Sequence, residues 1–359
     1  MKKSKTIKHV KIQKEIKKMI VSGALKPGDK LASEAEFMAR HGVSSITVRK
    51  ALVNLAEEGL IKRIQGKGSF VAETQEGHAS GLIAVIMPYS LEPDISHLVI
   101  LQGIQRQLSG DNYTLITEWY EKGVESEKQA IQRVIERKVD GLLIYPNAPE
   151  EDMELYLNVS KMGIPHVWLD RNHFLIEGSF VGSDNYRGGL LAVQHLVDLG
   201  HREIVFFEHE FGLSSERERY AGFNHILDKH GLTAGRRYAL DEKRENNVAL
   251  LCARIQSGEI TGIFCANDKV ALHIIHLMQN EGVNVPQDVS VVGFDNWEGL
   301  KFMSQRLTTI QQDFMALGMM SAKLLVDMIN NGGLPTPLKY VTPVSLIAGD
   351  TTAALRSNR

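Results

Sequence analysis

Apolar and polar positions change their period several times along this chain, and each change marks an element. Ile12, Ile16, Met19 and Ile20 recur at helical spacing among lysines, and Gly23 followed by Pro27-Gly28 ends the helix they predict. Ser33 stands before Glu34, Ala35 and Glu36, a capping-box arrangement that opens a second helix running to His41 and stopping at Gly42. Ser44 can cap a third helix, Ser45 to Glu58. Its apolar residues Ile46, Val48, Ala51, Leu52 and Leu55 are assigned to one face, and Ser45, Thr47, Arg49 and Lys50 to the other. Two short strands follow, Gly59 to Ile64 and Ser69 to Val71, around the tip Gln65-Gly66-Lys67-Gly68.

The polar stretch Glu73 to Ser80 separates this head, residues 1–72, from a longer body, residues 81–359. From Gly81 onward strands alternate with helices. The pattern gives Leu82 to Met87, a helix Ser96 to Ser109, Tyr113 to Thr117, a helix to Lys138, Gly141 to Tyr145, a helix Glu150 to Met162, and His166 to Leu169. It restarts at Ser179 to Gly182 and runs through Glu203 to Phe207, Gly262 to Cys265 and Ser290 to Phe294, with helices between. This is parallel-sheet rhythm, and two such units in succession predict a bilobal α/β body. The expected lobes are residues 81–170 with 310–335, and residues 171–309 with 336–359.

Charge sharpens this division. Residues 1–72 carry 16 Lys and Arg against 6 Asp and Glu, the rest 25 against 37, so the formal net charge of −2 hides two oppositely charged parts. Local rather than total charge governs attraction to phosphate. Two helices joined by a tight turn, the second opening on small hydroxyls and Arg49, predict a helix-turn-helix with a recognition helix. The glycine-tipped hairpin then reads as a wing whose backbone can approach a groove, with Lys62, Arg63 and Lys67 around the tip.

Through Leu25-x-Pro27-Gly28-Asp29, Val43-Ser44-x-x-Thr47-Val48-Arg49-x-Ala51-Leu52, Glu58-Gly59-Leu60-Ile61 and Gly66-x-Gly68-Ser69-Phe70-Val71, the head resembles the GntR family of winged-helix regulators. The resemblance implies that Glu34, Ser44, Thr47, Arg49 and Gly66 meet DNA, and the basic or polar positions Lys8, Ser45, Arg63, Gln65 and Lys67 join them as candidates. Ser45 departs from the family, which commonly carries Arg there.

In the body, open parallel sheets bind small molecules facing the carboxyl ends of their strands, so polar residues should gather there. Tyr89, Asn147, Asp170-Arg171, Asp184, Arg187, Asn267-Asp268 and Asp295-Asn296 do follow strands. Carboxylates, amides and an Arg suit sugar hydroxyls, which both donate and accept. Trp297, Trp168, Tyr89 and Phe223 are candidates to stack on a sugar face, or to fill space in the core. Arg217 and Arg219 are placed either to close over a ligand or to pair with Glu216 and Glu218 at the surface.

Asp184-Asn185-x-Arg187-Gly188-Gly189, Ala266-Asn267-Asp268-x-x-Ala271, Pro286-x-Asp288-Val289-Ser290-Val291-Val292-Gly293-Phe294-Asp295 and Leu307-Thr308-Thr309-Ile310-x-Gln312 make the body similar to the LacI family of sugar-responsive repressors. That likeness implies a periplasmic-binding-protein-like fold with two parallel sheets, effector contacts at Arg187, Asn267 and Asp295, and Gln312 nearby. The candidate effector set is Tyr89, Arg171, Arg187, Arg217, Phe223, Asn267, Asp295 and Gln312. A GntR-like head on a LacI-like body resembles regulators of the L-arabinose-repressor type. It implies a homodimeric repressor on double-stranded operator DNA, released by a small sugar, with L-arabinose the leading effector. Another sugar, a sugar phosphate or a nucleobase as effector, and activation instead of repression, are the alternatives.

Other classes are disfavoured. Cys252 and Cys265 are the only cysteines and lack metal-ligand spacing, which fits a reducing, cytoplasmic setting without a disulfide framework. The lysine-rich start has no apolar core segment and no later run reaches 18 apolar residues, so export, as for a sugar-transport receptor, and membrane spanning are not expected. His273 and His276 share a helical face, but spacing supplies no third ligand, so no metal is expected. Neither a nucleophile elbow nor HExxH nor G-x-G-x-x-G occurs, so neither catalysis nor a cofactor is expected.

Overall fold

The computed structural model describes residues 8–21, 24–57, 60–64, 67–71, 80–89, 95–121, 124–146, 153–171, 178–208, 213–232, 237–239, 246–332 and 336–355. Gln65, Gly66, Asn147 and residues 73–79 of the expected linker lie outside these. The chain divides into two compact units, Met1–Ser80 and Gly81–Arg359.

In the first unit three helices, α1 (Lys8–Val21), α2 (Glu34–His41) and α3 (Ser45–Glu57), precede an antiparallel pair, β1 (Ile61–Ile64) and β2 (Gly68–Val71), with Ile61 opposite Val71 and Ile64 opposite Gly68. Helix α2 starts where the sequence dictates: Ser33 Oγ accepts from the Glu36 N–H at 3.2 Å, while the Glu36 carboxylate accepts from the Ser33 N–H at 2.6 Å. Gly42 ends it with a left-handed φ of 58°. Ile12 and Ile16 of α1 meet Phe37, Val48, Leu52 and Leu55 in one core that Ile61 and Val71 of the hairpin close. Residues 28–31 add a short third edge to the wing, since Leu31 N–H donates to Ser69 O at 2.9 Å and Val71 N–H to Asp29 O at 2.8 Å. Ile46 departs from expectation. It is 78% exposed, because the inward stripe of α3 begins at Val48 and leaves position 46 on the outer side.

The second unit holds two six-stranded sheets. The first is built from β3 (Leu82–Pro88), β4 (Thr114–Tyr120), β5 (Gly141–Ile144), β6 (His166–Leu169), β7 (Ser179–Ser183) and, far along the chain, β13 (Lys339–Thr342), in the spatial order β13-β7-β6-β5-β3-β4, all parallel. Helices α4 (Ile95–Leu108) and α11 (Phe314–Asn330) cover one face; α5 (Val124–Glu136) and α6 (Met153–Lys161) cover the other. Strand β3 is apolar throughout for this reason: Ile83, Val85 and Met87 face α4 and α11, while Ala84 and Ile86 face α5 and α6. Helices α4 and α11 pack backbone to backbone at Gly103 and Gly318, where a Cβ would meet Met315 O and Ile100 O at 2.4 and 2.1 Å.

The second sheet is ordered β14-β12-β11-β10-β8-β9. Its strands are β8 (Ile204–Glu208), β9 (Arg237–Ala239), β10 (Gly262–Cys265), β11 (Ser290–Asp295), β12 (Thr308–Gln311) and β14 (Ser345–Ile347), of which only β14 runs antiparallel. Helices α7 (Asn185–Asp198) and α8 (Ser214–Lys229) lie on one face, α9 (Asn246–Gln256) and α10 (Asp268–Asn280) on the other.

This topology corrects the expected lobes. Residues 179–183 and 339–342, expected in the second lobe, pair in the first sheet, Val167 opposite Ser179 and Phe180 opposite Lys339. Residues 310 and 311, expected in the first lobe, lie in the second sheet. Apolar periodicity reports that a segment is a buried strand but not which sheet it joins. The chain therefore passes between lobes at three short places: after Ser183, between Gln311 and Phe314, and between Thr342 and Ser345.

Candidate functional site

On the head, one carboxylate organises two cations. Glu34 is the first residue of α2; Arg49 Nε of α3 donates to its Oε2 at 2.8 Å and Arg63 of β1 donates to its Oε1 at 2.9 Å. Both guanidinium groups remain open to solvent, Arg49 at 65%. Ser44 Oγ and Thr47 Oγ1 share a hydrogen bond of 3.1 Å at the start of α3, with Ser45 between them. A concavity of about 700 Å³ between the α2 start and the wing is lined by Lys30, Ser33, Glu34, Arg63 and Lys67, among others. Cations, hydroxyls and a helix N-terminus on one side of a small domain suit a phosphate backbone beside base edges. Gln65 and Gly66, and the Lys8 side chain, fall outside the described residues.

In the body, the carboxyl ends of the strands form the second site. Among the described residues four that are not glycine have positive φ, and three stand at strand ends: Asp170 (59°), Asp295 (127°) and Asn296 (52°). Such backbone persists where its surroundings over-determine it. On the first lobe Tyr145 donates its hydroxyl to Asp170 Oδ2 at 2.8 Å, and the Arg171 guanidinium lies over the Tyr145 ring, 4.9 Å from its centroid. Burial opposes the Arg171 charge, but Tyr145, Asp170 and Glu216 around it raise its pKa on balance. Glu216 belongs to α8 of the other lobe, so that attraction acts between the lobes.

On the second lobe Arg219 is 4% exposed. Its Nε donates to Asn185 Oδ1 at 2.8 Å, one terminal nitrogen donates to Ala266 O at 2.5 Å and stands 3.9 Å from Asp295 Oδ1, and the guanidinium lies over Phe294 at 3.7 Å. Gln312 Nε2 donates to Asp295 Oδ1 at 2.6 Å. Burial pushes the Glu216 carboxyl up to about 7, against the pull of Arg219 and Arg171. Asp268 is likewise raised by burial, to about 6, although Thr309 Oγ1 donates to it at 2.5 Å and the Asn296 N–H at 2.7 Å. Asp268 thus braces the Asp295-Asn296 turn from beneath; Gly293 is required beside it, since a Cβ there would stand 2.2 Å from Asp268 Oδ1. Asp170 Oδ1, Glu216 Oε2 and Gln312 Oε1 are buried acceptors with no hydrogen-bond partner among the described residues. A buried acceptor left so is costly, and a ligand rich in donors removes the cost.

Residues 8–71 match the description "Bacterial regulatory proteins, gntR family", and residues 193–352 match "Periplasmic binding protein-like domain". The arabinose metabolism transcriptional repressor of Halalkalibacterium halodurans is 31% identical over 334 residues, 89% of this chain and 88% of the relative. That of Geobacillus stearothermophilus is 28% identical over 91% of this chain and 93% of its own length. The chain belongs to the transcriptional repressors that join a GntR-family head to a LacI-type effector domain. The HTH-type transcriptional repressor PurR of Photobacterium profundum is 27% identical over 73% of this chain and 79% of its own length. Among solved structures, the lac repressor dimer bound to operator and the anti-inducer ONPF superposes with a TM-score of 0.66, at 26% identity, over 78% of this chain and 96% of that one.

The repressor's cleft corrects parts of the sequence reading. Phe223 is fully buried, stacked on Tyr220 and tilted against Phe206, so it is core and not an effector contact; Trp168 is buried against Tyr156 in the same way. Tyr89 is half exposed, and Trp297 packs against the second-lobe core while partly open. Asn267 spends its Oδ1 capping α10, accepting from the Val270 N–H at 2.9 Å. Arg187 is exposed and Arg217 half-buried, whereas Arg219 beside them is the inward one. Asp170, Asn185, Glu216 and Arg219 join the site without having been in the candidate set. The signal existed for Arg219 and Glu216: they lie three apart on a helix opening at a strand's carboxyl end.

Proposed function

We propose that this repressor holds a pseudo-palindromic operator as a homodimer and leaves it when L-arabinose enters the body's cleft. The observation that carries the effector class is the set of buried acceptors Asp170 Oδ1, Glu216 Oε2 and Gln312 Oε1, which have no hydrogen-bond partner among the described residues. A polyol brings a donor for each; a phosphate dianion would meet the carboxylates Asp170 and Asp295 and a partly ionised Glu216 in the same space, which like-charge repulsion disfavours. The names of the two arabinose repressors support arabinose among polyols. The dimeric lac repressor on operator supports the assembly, since two-fold protein symmetry matches two half-sites.

On the DNA, Lys8, Lys67 and the wing supply phosphate contacts, with Gln65 and Gly66 at its tip. Ser44, Ser45, Thr47 and Arg49 face base edges, and Glu34 with Arg63 sets the aim of Arg49. In the cleft, Arg219, Asp295 and Gln312 hold the sugar from the second lobe and Asp170 and Arg171 from the first, with Tyr89, Arg187, Arg217 and Asn267 at the rim. Only a ligand that prefers one arrangement of the lobes can shift the heads. The output is occupancy of DNA, not a chemical step, and the unpaired buried thiols of Cys252 and Cys265 suit the cytoplasm.

The test is fluorescence anisotropy of a duplex selected by the protein from a random pool, at fixed salt, titrated with L-arabinose, ribose, galactose, ribose 5-phosphate and a purine base. Release by L-arabinose alone is expected. Release only by the phosphate or the base would replace the effector while keeping the regulator.

A further inference from the structure

Ile46 is the second residue of α3 and the most exposed of the large apolar side chains described in the head, at 78%. The head's core has no use for it: Val48, Ala51, Leu52 and Leu55 supply what α3 buries. Residues three and four apart on a helix share a face, so Ile46 lies beside Arg49 and Lys50, and Val53, 40% exposed, continues that face. An apolar side chain thus stands in the first turn of α3, among hydroxyls and cations. Opposite such a face, the major groove offers donors, acceptors and a single apolar group, the thymine C5-methyl. The neighbouring Ser45 hydroxyl is too short for the two-pronged grip on guanine that an Arg makes, so this end of α3 is chemically biased away from guanine and toward a methyl.

We infer that Ile46 reads thymine in each operator half-site by packing on its C5-methyl, and is a specificity-determining residue. The inference rests on α3 being the recognition helix. It predicts that removing the one methyl group from that thymine weakens binding about fourfold, the value of one buried methyl, per half-site.

The experiment replaces each thymine of the selected duplex singly by 2′-deoxyuridine and measures affinity by anisotropy at fixed salt for the full-length protein and its Ile46→Val, Ile46→Ala and Arg49→Ala variants. The wild type should distinguish thymine from uracil at one position per half-site. Ile46→Ala should bind the thymine duplex more weakly and lose the distinction at that position only, with Ile46→Val between them. Thermal unfolding should be unchanged in Ile46→Ala, since the side chain makes no core contact. Equal binding of thymine and uracil duplexes by the wild type, or full discrimination retained by Ile46→Ala, overturns the assignment. Loss of affinity in Arg49→Ala under either of those results leaves α3 as the recognition helix; wild-type affinity in both Arg49→Ala and Ile46→Ala removes that reading as well.

Discussion

Arg49 donates its Nε–H to Glu34 Oε2 across 2.8 Å, so the cation expected to reach a base is held by an anion that would itself be repelled by DNA. The pairing makes sense as aim rather than attraction. Because Arg63 takes the other oxygen of the same carboxylate, the start of α2, the outer face of α3 and the wing share one anchor. Glu34→Ala should therefore cut affinity for the selected duplex by about 1–3 kcal/mol, the worth of a well-aimed bidentate contact. Binding to a scrambled duplex should hold or tighten, because a negative charge has gone. Paired anisotropy titrations on the two duplexes at one salt concentration read the ratio directly.

Arg49→Ala should cost about 1–3 kcal/mol on the selected duplex and relax the preference at one base position. Lys67→Ala should weaken all duplexes alike and reduce the salt slope by about 1. Titrations at several salt concentrations separate the two, and unchanged operator binding by Arg49→Ala would remove it from the interface.

Asp295 stands where Gln312, Arg219 and a strained backbone meet. Asp295→Ala should abolish release by L-arabinose and leave operator affinity within twofold or so, because the head folds on its own core. Loss of DNA binding, or a large fall in the melting temperature, would make Asp295 a structural residue instead.

Glu216 carries a pH signature. Its folded pKa, about 7, lies above the ordinary carboxylate value of 4.5, so its contribution to stability is whole below about 4.5 and lost as pH rises through 7. The loss is on the order of 3 kcal/mol, and Glu216→Gln should flatten that part of a profile of unfolding free energy between pH 4.5 and 8. A sugar donating hydroxyls to this group favours its ionised form. Calorimetric affinity for L-arabinose should rise with pH through 7 in the wild type and stay level in the variant.

Gly189 lets α7 lie against the backbone of Arg219, since a Cβ there would stand 2.2 Å from Arg219 O. Gly189→Ala should destabilise the body by about 1–3 kcal/mol in urea unfolding and weaken the sugar response beyond that, by displacing the guanidinium. Gly222 packs the same two helices from the other side, where a Cβ would meet Tyr186 O at 2.3 Å, and its alanine variant should behave alike.

The order of elements was readable because each carries its own periodicity: the capping box at Ser33, the turn at Gly42 and the doubly buried strand β3 all stand where the apolar pattern puts them. Ile46 was misassigned because a stripe drawn from apolar residues includes any isoleucine near it, and exposure depends on what the neighbouring helices cover. The lobes were misdivided because strand pairing is a long-range fact: β13 lies beside β7 across more than a hundred intervening residues. At the cleft, residue type and position after a strand singled out Asp295 and Arg171, whereas Gln312 came from the LacI-family resemblance. Which of Arg187, Arg217 and Arg219 turns inward was set by the tight α7–α8 contact at Gly189 and Gly222, which sequence position alone does not reveal.

The three links between the lobes lie close together: Asp184 N–H donates to Thr342 O at 3.0 Å, Ser183 Oγ and Thr342 Oγ1 are 3.3 Å apart, and Gln311, where the second link begins, pairs opposite Ser345, where the third ends. A door on one pin can spin or wobble; one on several fixed hinges can only swing. With three tethers the lobes keep little more than a single degree of freedom. Whatever the cleft gains by filling its empty acceptors is then delivered along one path, instead of being dissipated over many small rearrangements.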